Sequence, residues 1–223
     1  MVFFIAVQNT YNDIEMALFN GATTLDTASI PKAQASSLIL PTLDELLKRN
    51  KIALAELSFL AVNQGPGPFT TLRVVIASVN GISFANQIPL VGVDALHAFL
   101  QEYNDMNYSC TVALLNAFNN DVYFGINHNG SIRTGCMNNM ALLHELREQF
   151  PHQQIRFIGN GAQMYHHDIY VVLGSNSYIP DSVPQTCSIN QIGLMGLEHW
   201  KEKQTLSKQL LPLYLKQFKP HSS

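Results

Sequence analysis

The stretch "NQGPGPFTTLR", residues 63–73, places two glycines and two prolines between an apolar run and a helix-like segment. The apolar run 57–64 predicts a buried strand, and the pattern of residues 70–87 predicts a helix. A strand, a glycine-containing loop and a helix in this order are typical of a phosphate-binding loop, but the same order also describes a stiff corner. Because Pro66 and Pro68 have no N–H to offer a phosphate and no G-K-[ST] follows, the corner is favoured.

The corner interpretation gives each remaining loop residue a conformational role. Gly65 and Gly67 supply backbone angles that other residues rarely adopt. The hydroxyl of Thr70 or Thr71 is expected to cap the following helix. Under the alternative interpretation, the loop would make weak contacts to an anion through its backbone.

The rest of the chain predicts two related α/β lobes. Asn20-Gly21 is a strong hairpin signal between apolar runs, and Pro41 is expected to kink or restart the first helix. The second half repeats the opening in weaker form, with a hairpin, a helix and a strand that enters a glycine-containing turn. We therefore expect lobes at 1–103 and 104–223, the second with a terminal helix and a basic tail. The predicted strands are 3–8, 14–19, 22–28, 57–64, a short run from 89, 110–117, 122–130 and one from 154. The predicted helices are 36–50, 70–87, the end of 89–103, 138–149 and 188–203. A loop is predicted between about 173 and 185, and a terminal element at 210–218.

The composition limits the classes of function. The 223 residues carry a net charge of −3, and only 13% of them are charged, which suggests that another chain covers part of the surface. The net charge argues against autonomous binding to a polyanion, although residues 198–223 alone carry +3. The three cysteines form no C-x-x-C pair, so reduced cytosolic thiols are favoured over disulfides or a zinc cluster. No stretch is long and apolar enough to predict a membrane span.

Several motifs together resemble one bacterial family. The segment "AVNQGPGPFTTLRVVIASVNGISFANQIPLVGVDAL" is similar to the G-P-G-S-F-T-G-L-R signature and the following helix and strand of the TsaB family, also called YeaZ. The similarity extends to "FIAVQNT", "SSLILPTLDELL", "NDVYFG", "FIGNGAQMY" and "LLPLYLK". The first 100 residues match well, and the remainder matches only in short, separate segments. The resemblance implies a two-lobed actin-like and sugar-kinase-like (ASKHA) fold, with a mixed sheet and flanking helices in each lobe.

The chain departs from the active members of that superfamily where they carry charge. Their first strand ends in an acidic residue that positions metal and phosphate, whereas this chain has Gln8, followed by Asn9 and Thr10. In the second lobe, Asn116 takes the corresponding acidic position. We therefore interpret these positions, with Gly65 and Gly67, as a degenerate nucleotide site without catalytic residues, cofactor or metal.

A stripe of small residues runs along the helix that follows the loop. Ala77, Gly81 and Ala85 recur every four residues and therefore share one helical face, which Ser78 widens. A glycine within a helix costs about 1 kcal/mol relative to alanine, so close approach of another backbone is the expected compensation. The stripe either packs on the sheet of its own lobe or contacts another subunit. The resemblance implies the second, because the first two helices form the dimer face in that family; Leu38, Leu43 and Leu46 would then complete the patch.

Other catalytic chemistry has less support in the sequence. The eight histidines form no H-x-x-x-H pair, and His166 and His167 are expected at the surface. No G-x-S-x-G motif is present, and Cys110 lies in an apolar run that predicts burial.

The resemblance implies a non-catalytic subunit of the machinery that adds threonylcarbamoyl to the adenosine beside the tRNA anticodon. The expected partners are a TsaD-like catalytic subunit and a TsaE-like ATPase, with a homodimer as an alternative and at most an auxiliary contact to tRNA. The competing hypothesis is an active enzyme of the same fold, either an ATP-dependent small-molecule kinase or a peptidase.

Overall fold

The computed structural model describes residues 1–203 and 206–216. Within these residues the chain folds into two compact units. The first unit contains Met1–Ala98 and Cys187–Leu213, and the second contains Phe99–Thr186 and the described residues from Tyr214 onward.

The first unit is built on a six-stranded sheet with helices on both faces. Its elements are β1 (Phe3–Asn9), β2 (Asp13–Asn20), β3 (Thr23–Pro31), α1 (Ala35–Arg49), β4 (Leu57–Asn63), α2 (Phe69–Asn86), β5 (Leu90–Val93), α3 (Ala95–Glu102), α7 (Ile189–Lys201) and β11 (Leu206–Ser207). The strand order is β11-β5-β4-β1-β2-β3. The three opening strands form an antiparallel meander, and β1 also pairs in parallel with β4.

The second unit repeats this arrangement around a five-stranded sheet. Its elements are β6 (Cys110–Asn116), β7 (Asp121–His128), β8 (Ser131–Asn138), α4 (Asn139–Gln149), β9 (Ile155–Ile158), α5 (Asn160–Met164), α6 (His166–Leu173) and β10 (Ser177–Tyr178). The strand order is β10-β9-β6-β7-β8. Strand β6 pairs with β7 antiparallel and with β9 in parallel, as β1 does with β2 and β4. The predicted pair of related α/β lobes is therefore observed.

The unit boundaries differ from the predicted ranges. The division falls within α3, and residues 187–213 belong to the first unit rather than to the second. The physical reason is that α7 packs on β1, β2, β4 and β5 of the first sheet. Its apolar face, which includes the buried Ile192 and Leu197, is covered there.

Several local predictions also need correction. Helix α1 runs continuously through Pro41, whose missing N–H affects only the carbonyl of the exposed Ser37. The sequence does not predict the strand at 131–138, because its half-buried residues lack an apolar alternation. Helix α5 replaces the predicted glycine-containing turn, and the sequence does not predict helix α6. In "LLPLYLKQF", residues 210–216 form neither helix nor strand, and Gln217 and Phe218 lie outside the described residues.

Alternation along β1 and β4 directs side chains to two separate layers. Ile5, Val7, Leu60 and Val62 join the core cluster that includes the buried residues of α1 and α2. The opposite face carries a run of stacked rings, whose successive centroids are 4.7, 4.4 and 5.3 Å apart. The rings are those of Phe19, Phe4, Phe59 and Trp200, the last of which lies on α7.

Two glycines allow α7 to approach this second face. A Cβ on Gly196 would overlap the Cβ of Ala61, and a Cβ on Gly193 would overlap the ring of Phe19. Ala61 is part of a strand that pairs on both sides, so it cannot move away from an added methyl group. The glycines are therefore required by the packing of α7.

Gly196→Ala is expected to destabilise the protein by about 1–3 kcal/mol, because the added methyl group overlaps Ala61. Gly81→Ala is the matched control: Gly81 is also helical, but its added Cβ meets nothing within 4 Å, so the substitution should stabilise by about 1 kcal/mol. Urea unfolding of both variants beside the wild type measures the difference. Equal effects of the two substitutions would contradict the packing assigned to α7.

Candidate functional site

The end of β1 places Gln8 and Asn9 beside the loop that contains Gly65 and Gly67. Gln8 is 1% exposed, and its Nε2 donates to Oε2 of Glu15 at 2.6 Å and to the backbone oxygen of Cys187 at 3.3 Å. Glu15 is the direct partner of Gln8 across the β1–β2 ladder. The side-chain amide of Gln8 is thus committed to internal hydrogen bonds.

Asn9 packs against the loop without a hydrogen bond from its side chain. It is 4% exposed, and neither Nδ2 nor Oδ1 has a hydrogen-bond partner among the described residues. A Cβ on Gly67 would lie only 3.1 Å from Nδ2, so glycine provides the room for this amide. Leaving such a group unpaired costs about 1–3 kcal/mol, which makes Asn9 an energetically expensive residue.

Thr10 stabilises the turn between β1 and β2. Its Oγ1 donates to the carbonyl of Asp13 at 3.0 Å and accepts from the backbone N–H of Asp13 at 3.0 Å. This is a hydroxyl-stabilised turn, which side chains of this type commonly form.

The glycine–proline loop is tied into the first unit on several sides. The N–H of Gly65 donates to Oδ1 of Asn63 at 2.7 Å, and its carbonyl accepts from the N–H of Ala95 at 2.9 Å. Gln64 holds the loop to the later segment, because its carbonyl accepts from the N–H of Leu213 at 2.8 Å. Since Pro66 and Pro68 have no N–H, only one N–H in residues 65–68, that of Gly67, lies outside these bonds. These contacts favour the corner interpretation over a phosphate cradle.

The predicted threonine cap of α2 is wrong. The helix begins at Phe69, so Thr70 and Thr71 lie in its first turn and not at the capping position. The hydroxyl of Thr71 donates to the carbonyl of Pro68 at 3.2 Å, and no side chain caps the helix.

Asn116 lies in the second unit, at the end of β6. Its Oδ1 accepts from the N–H of Phe118 at 2.8 Å, and its own N–H donates to Oδ1 of Asn160 at 2.9 Å. Residues 118–120 all have positive φ angles of 55–61°, an uncommon conformation outside glycine. Lys216 Nζ donates to the carbonyl of Ala117 at 2.9 Å. Side chains, including that of Asn116, therefore hold the loop after β6 in shape.

The thiols and histidines that the sequence singled out form no metal site. Within residues 1–203 and 206–216, no group of three or more His, Cys, Asp or Glu side chains could hold a metal ion. Burial raises the pKa of Cys110 to about 12, so its thiol is protonated and inert at neutral pH. His166 and His167 are exposed, as the sequence predicts.

The small-residue stripe of α2 faces outward. Ala77, Gly81 and Ala85 are exposed, whereas the sheet-facing side of the helix carries the buried Val75 and Val79. The stripe therefore does not pack on the sheet of its own unit, which was one of the two alternatives.

The stripe forms one wall of a groove between α1 and α2, here called the α1–α2 groove. Its volume is about 520 Å³, and its lining is predominantly apolar. The sequence pattern does not single out Leu40, which is 56% exposed, or Leu47 as part of it. The groove is lined by Leu40, Leu43, Asp44, Leu47, Leu54, Ala77, Ser78, Gly81, Ile82, Ala85 and Asn86.

Two leucines of the predicted patch lie elsewhere. Leu46 is 0% exposed and belongs to the core, and Leu38 is partly buried and packs against the same core cluster. Of the three predicted leucines, only Leu43 lines the groove. The helical spacing does not separate these positions, because α1 is apolar on a wide face and only packing shows which part of that face is covered.

These features place the chain in a class of two-lobed α/β proteins of the actin-like and sugar-kinase-like type. The fold resembles that of a putative N-acetylmannosamine kinase from Listeria monocytogenes, with a TM-score of 0.51 and 14% identity over 91% of this chain and 99% of that one. It is more similar to YeaZ from Pseudomonas aeruginosa, with a TM-score of 0.72 and 23% identity over 96% of this chain and all of that one.

Sequence comparison places the chain within a family. Residues 30–167, more than half of the chain, match the model of the family described as "TsaD: tRNA N6-adenosine threonylcarbamoyltransferase". A relative from Buchnera aphidicola subsp. Schizaphis graminum, named tRNA threonylcarbamoyladenosine biosynthesis protein TsaB, is 25% identical over 54% of this chain and 58% of its own length. The chain belongs to this family and is a TsaB/YeaZ member of it. The match spans less than two thirds of that relative's length.

Gln8→Glu tests the role of the amide at the end of β1. The new carboxylate would be buried beside Glu15, so its pKa should rise above the unfolded value of about 4.3, and its neutral form should be favoured in the native state. The variant should therefore match the wild type most closely below about pH 4.3 and lose stability, by roughly 1–3 kcal/mol, as the pH rises through the raised pKa. Chemical unfolding across the pH range measures this.

The double variant Gln8→Glu with Glu15→Gln is the control for this prediction. It exchanges the two groups and restores one amide beside one carboxylate, so most of the lost stability should return at neutral pH. If the single variant is as stable as the wild type at every pH, the finding that Gln8 is buried in contact with Glu15 is contradicted.

Proposed function

We propose that the chain is a non-catalytic subunit of the machinery that adds threonylcarbamoyl to the adenosine beside the tRNA anticodon. In this proposal it stabilises a TsaD-like catalytic subunit. Membership of the family and the relatives named for threonylcarbamoyladenosine biosynthesis support the process. The amides at positions 8 and 116, in place of carboxylates, support a subunit that does not itself catalyse the transfer.

The observation that carries the partner proposal is the exposed α1–α2 groove. Gly81 has open space where a Cβ would point, so it is not there to make room for its own unit. A glycine that costs helix stability and faces outward is accounted for by close approach of a partner helix. Exposed apolar side chains beside the stripe, Leu40 at 56% and Phe84 at 82%, provide the area that such a contact would bury.

The partner we propose for this groove is a helix of the TsaD-like subunit. The pairing of two proteins of the same fold through equivalent helices is the arrangement that the family resemblance implies. A homodimer through the same groove is the alternative, and a TsaE-like ATPase is proposed as a third component of the assembly.

The lysine-rich tail supports at most an auxiliary contact to tRNA. Lys201, Lys203 and Lys208 are exposed, but Lys216 pairs with Asp121 at 2.9 Å. Lys219 lies outside the described residues. A few lysines on a chain of net charge −3 can supply only part of a phosphate footprint, so any binding should weaken steeply with salt.

In the residues that the structure describes, no helix combines the length and apolar character needed to cross a membrane.

Gly81→Leu should weaken association with the TsaD-like subunit more than a hundredfold. A leucine cannot fit between two helices brought close by a glycine, and a loss of about 3 kcal/mol corresponds to that factor. The monomer should keep its melting temperature or gain slightly, because the side chain enters open space and leucine favours helix. Titration calorimetry with the TsaD-like protein from the same organism, together with thermal unfolding, measures both quantities.

Ala141→Leu is the matched control for the interface. Ala141 is an exposed small residue on α4 of the second unit, so the same enlargement should leave association unchanged. Sedimentation of the isolated protein distinguishes the alternatives: a dimer that Gly81→Leu dissociates, with no binding of the TsaD-like subunit, would establish the homodimer in place of our proposal.

The isolated protein is expected to hydrolyse no ATP above background. Gln8 is held by internal hydrogen bonds and has no charge with which to position a metal ion. The measurement is phosphate release with and without Mg²⁺, and Gln8→Ala serves as the background. Mg²⁺-dependent turnover that Gln8→Ala abolishes would favour the small-molecule kinase instead.

A further inference from the structure

A polar pocket of about 490 Å³ lies in the second unit, at the end of the sheet where β6 begins. The segment 104–109, the start of β6 and the turn 127–130 form its walls. Asn116 lies at the other end of the same strand, so the pocket is separate from the degenerate site. Its volume falls within the range of about 300–1,000 Å³ that is usual for small-molecule sites.

The lining of this pocket is uncharged and rich in amides. It includes four asparagines, at positions 104, 107, 127 and 129, together with hydroxyl-bearing residues. All the lining residues in the described part of the chain are uncharged. The lining itself holds no lysine or arginine for a phosphate or carboxylate, and the guanidinium of Arg156, which pairs with Thr111 on the β6–β9 ladder, already donates to the carbonyl of Tyr103 at 2.6 Å. The expected ligand is therefore neutral.

Thr111 carries the observation that points to a ligand. It lines the pocket, is 3% exposed, and lies directly opposite Asn127 on the β6–β7 ladder. Its neighbours Cys110 and Val112 point into the core cluster, so Thr111 faces the other side of the sheet. Among the described residues its hydroxyl has no hydrogen-bond partner. A threonine that is nearly buried but keeps its hydroxyl open to the pocket has donor and acceptor capacity for a molecule bound there.

The asparagine side chains around Thr111 can also donate and accept further hydrogen bonds. Oδ1 of Asn127 accepts from the N–H of Gly130 at 3.0 Å, and Nδ2 of Asn107 donates to Oδ1 of Asp105 at 2.9 Å. An amide group has two N–H donors and an oxygen with two lone pairs, so each can still donate and accept. A ligand hydroxyl, which also donates and accepts and can rotate, matches such a lining.

An aromatic base is a poorer match than a sugar. The ring of Tyr108 is already stacked on Tyr178 with centroids 5.2 Å apart, and the guanidinium of Arg156 lies 6.0 Å from its centroid. Little of the ring is left for a base to stack on, and base recognition depends heavily on such stacking.

We propose that this asparagine pocket binds a neutral, hydroxyl-rich small molecule of the monosaccharide class, with the Thr111 hydroxyl as a central hydrogen-bonding group. The proposal goes beyond the function proposed above and is independent of the α1–α2 groove. Loss of partner binding and loss of sugar binding can therefore be told apart.

The test is a titration of ¹⁵N-labelled protein with D-glucose and D-ribose, followed by NMR. The side-chain NH₂ signals of Asn104, Asn107 and Asn127 report directly on the pocket. We expect them to shift with saturation at millimolar sugar and to be unaffected by inorganic phosphate. If adenosine shifts them and neither sugar does, or if no sugar produces a saturable shift, the assignment is overturned.

Thr111→Val separates a ligand role from a structural one. Removing one hydrogen bond should weaken sugar binding about tenfold, while the melting temperature should hold or rise because the lost hydroxyl has no partner in the described part of the protein. Thr134→Val, a half-buried threonine on β8 outside the pocket, is the control and should bind as the wild type does. Unchanged affinity in Thr111→Val would overturn the proposal. If that variant does not fold, Asn107→Ala, in an exposed segment, must weaken binding instead.

Discussion

The close contact between α7 and the first sheet is the constraint on which the rest of the first unit depends. Gly196 and Gly193 bring the helix backbone against Ala61 and the ring of Phe19. This contact covers the sheet face that carries the stacked rings, and it is made by a segment that is distant in sequence from the strands it covers. Because α7 occupies one face, α1 and α2 need to cover only the other, through residues such as Val75 and Val79.

Because α7 covers one face of the sheet and α1 and α2 cover the other, the outer sides of α1 and α2 are left open as the α1–α2 groove. Both helices bury most of their large apolar residues on the sheet side, whereas Leu40 and Phe84 stay exposed on the outer side. Of the three residues of the stripe, only Gly81 weakens the isolated helix, by about 1 kcal/mol relative to alanine, because alanine itself is the best helix former. A contact outside the unit would offset that cost, and this is the basis on which we propose an interaction role for the groove.

The polar residues at the end of β1 serve the structure of the first unit. Gln8 bonds to Glu15 and to the backbone of Cys187, and Thr10 completes the neighbouring turn. In the glycine–proline loop, the carbonyl oxygens of Gln64 and Gly65 accept from the N–H groups of Leu213 and Ala95, and the N–H of Gly65 donates to Asn63. Asn9 is the exception, because its buried amide is unpaired among the described residues. These polar groups thus hold together the end of β1, the loop and the segment around Cys187.

The sequence by itself determined the order of most strands and helices and the hairpin at Asn20-Gly21, because hydrophobic periodicity and turn residues are local properties. It likewise determined that positions 8 and 116 carry uncharged amides, Gln8 and Asn116. It also determined that Ala77, Gly81 and Ala85 share a face. Tertiary structure alone decided that this face points outward, that Leu46 is core while Leu40 is exposed, and that residues 187–213 return to the first unit. The pairing of Gln8 with Glu15, and the hydroxyl of Thr111 that has no hydrogen-bond partner among residues 1–203 and 206–216, were settled in the same way. These outcomes depend on which surfaces meet across long separations in the chain, and no local pattern contains that information.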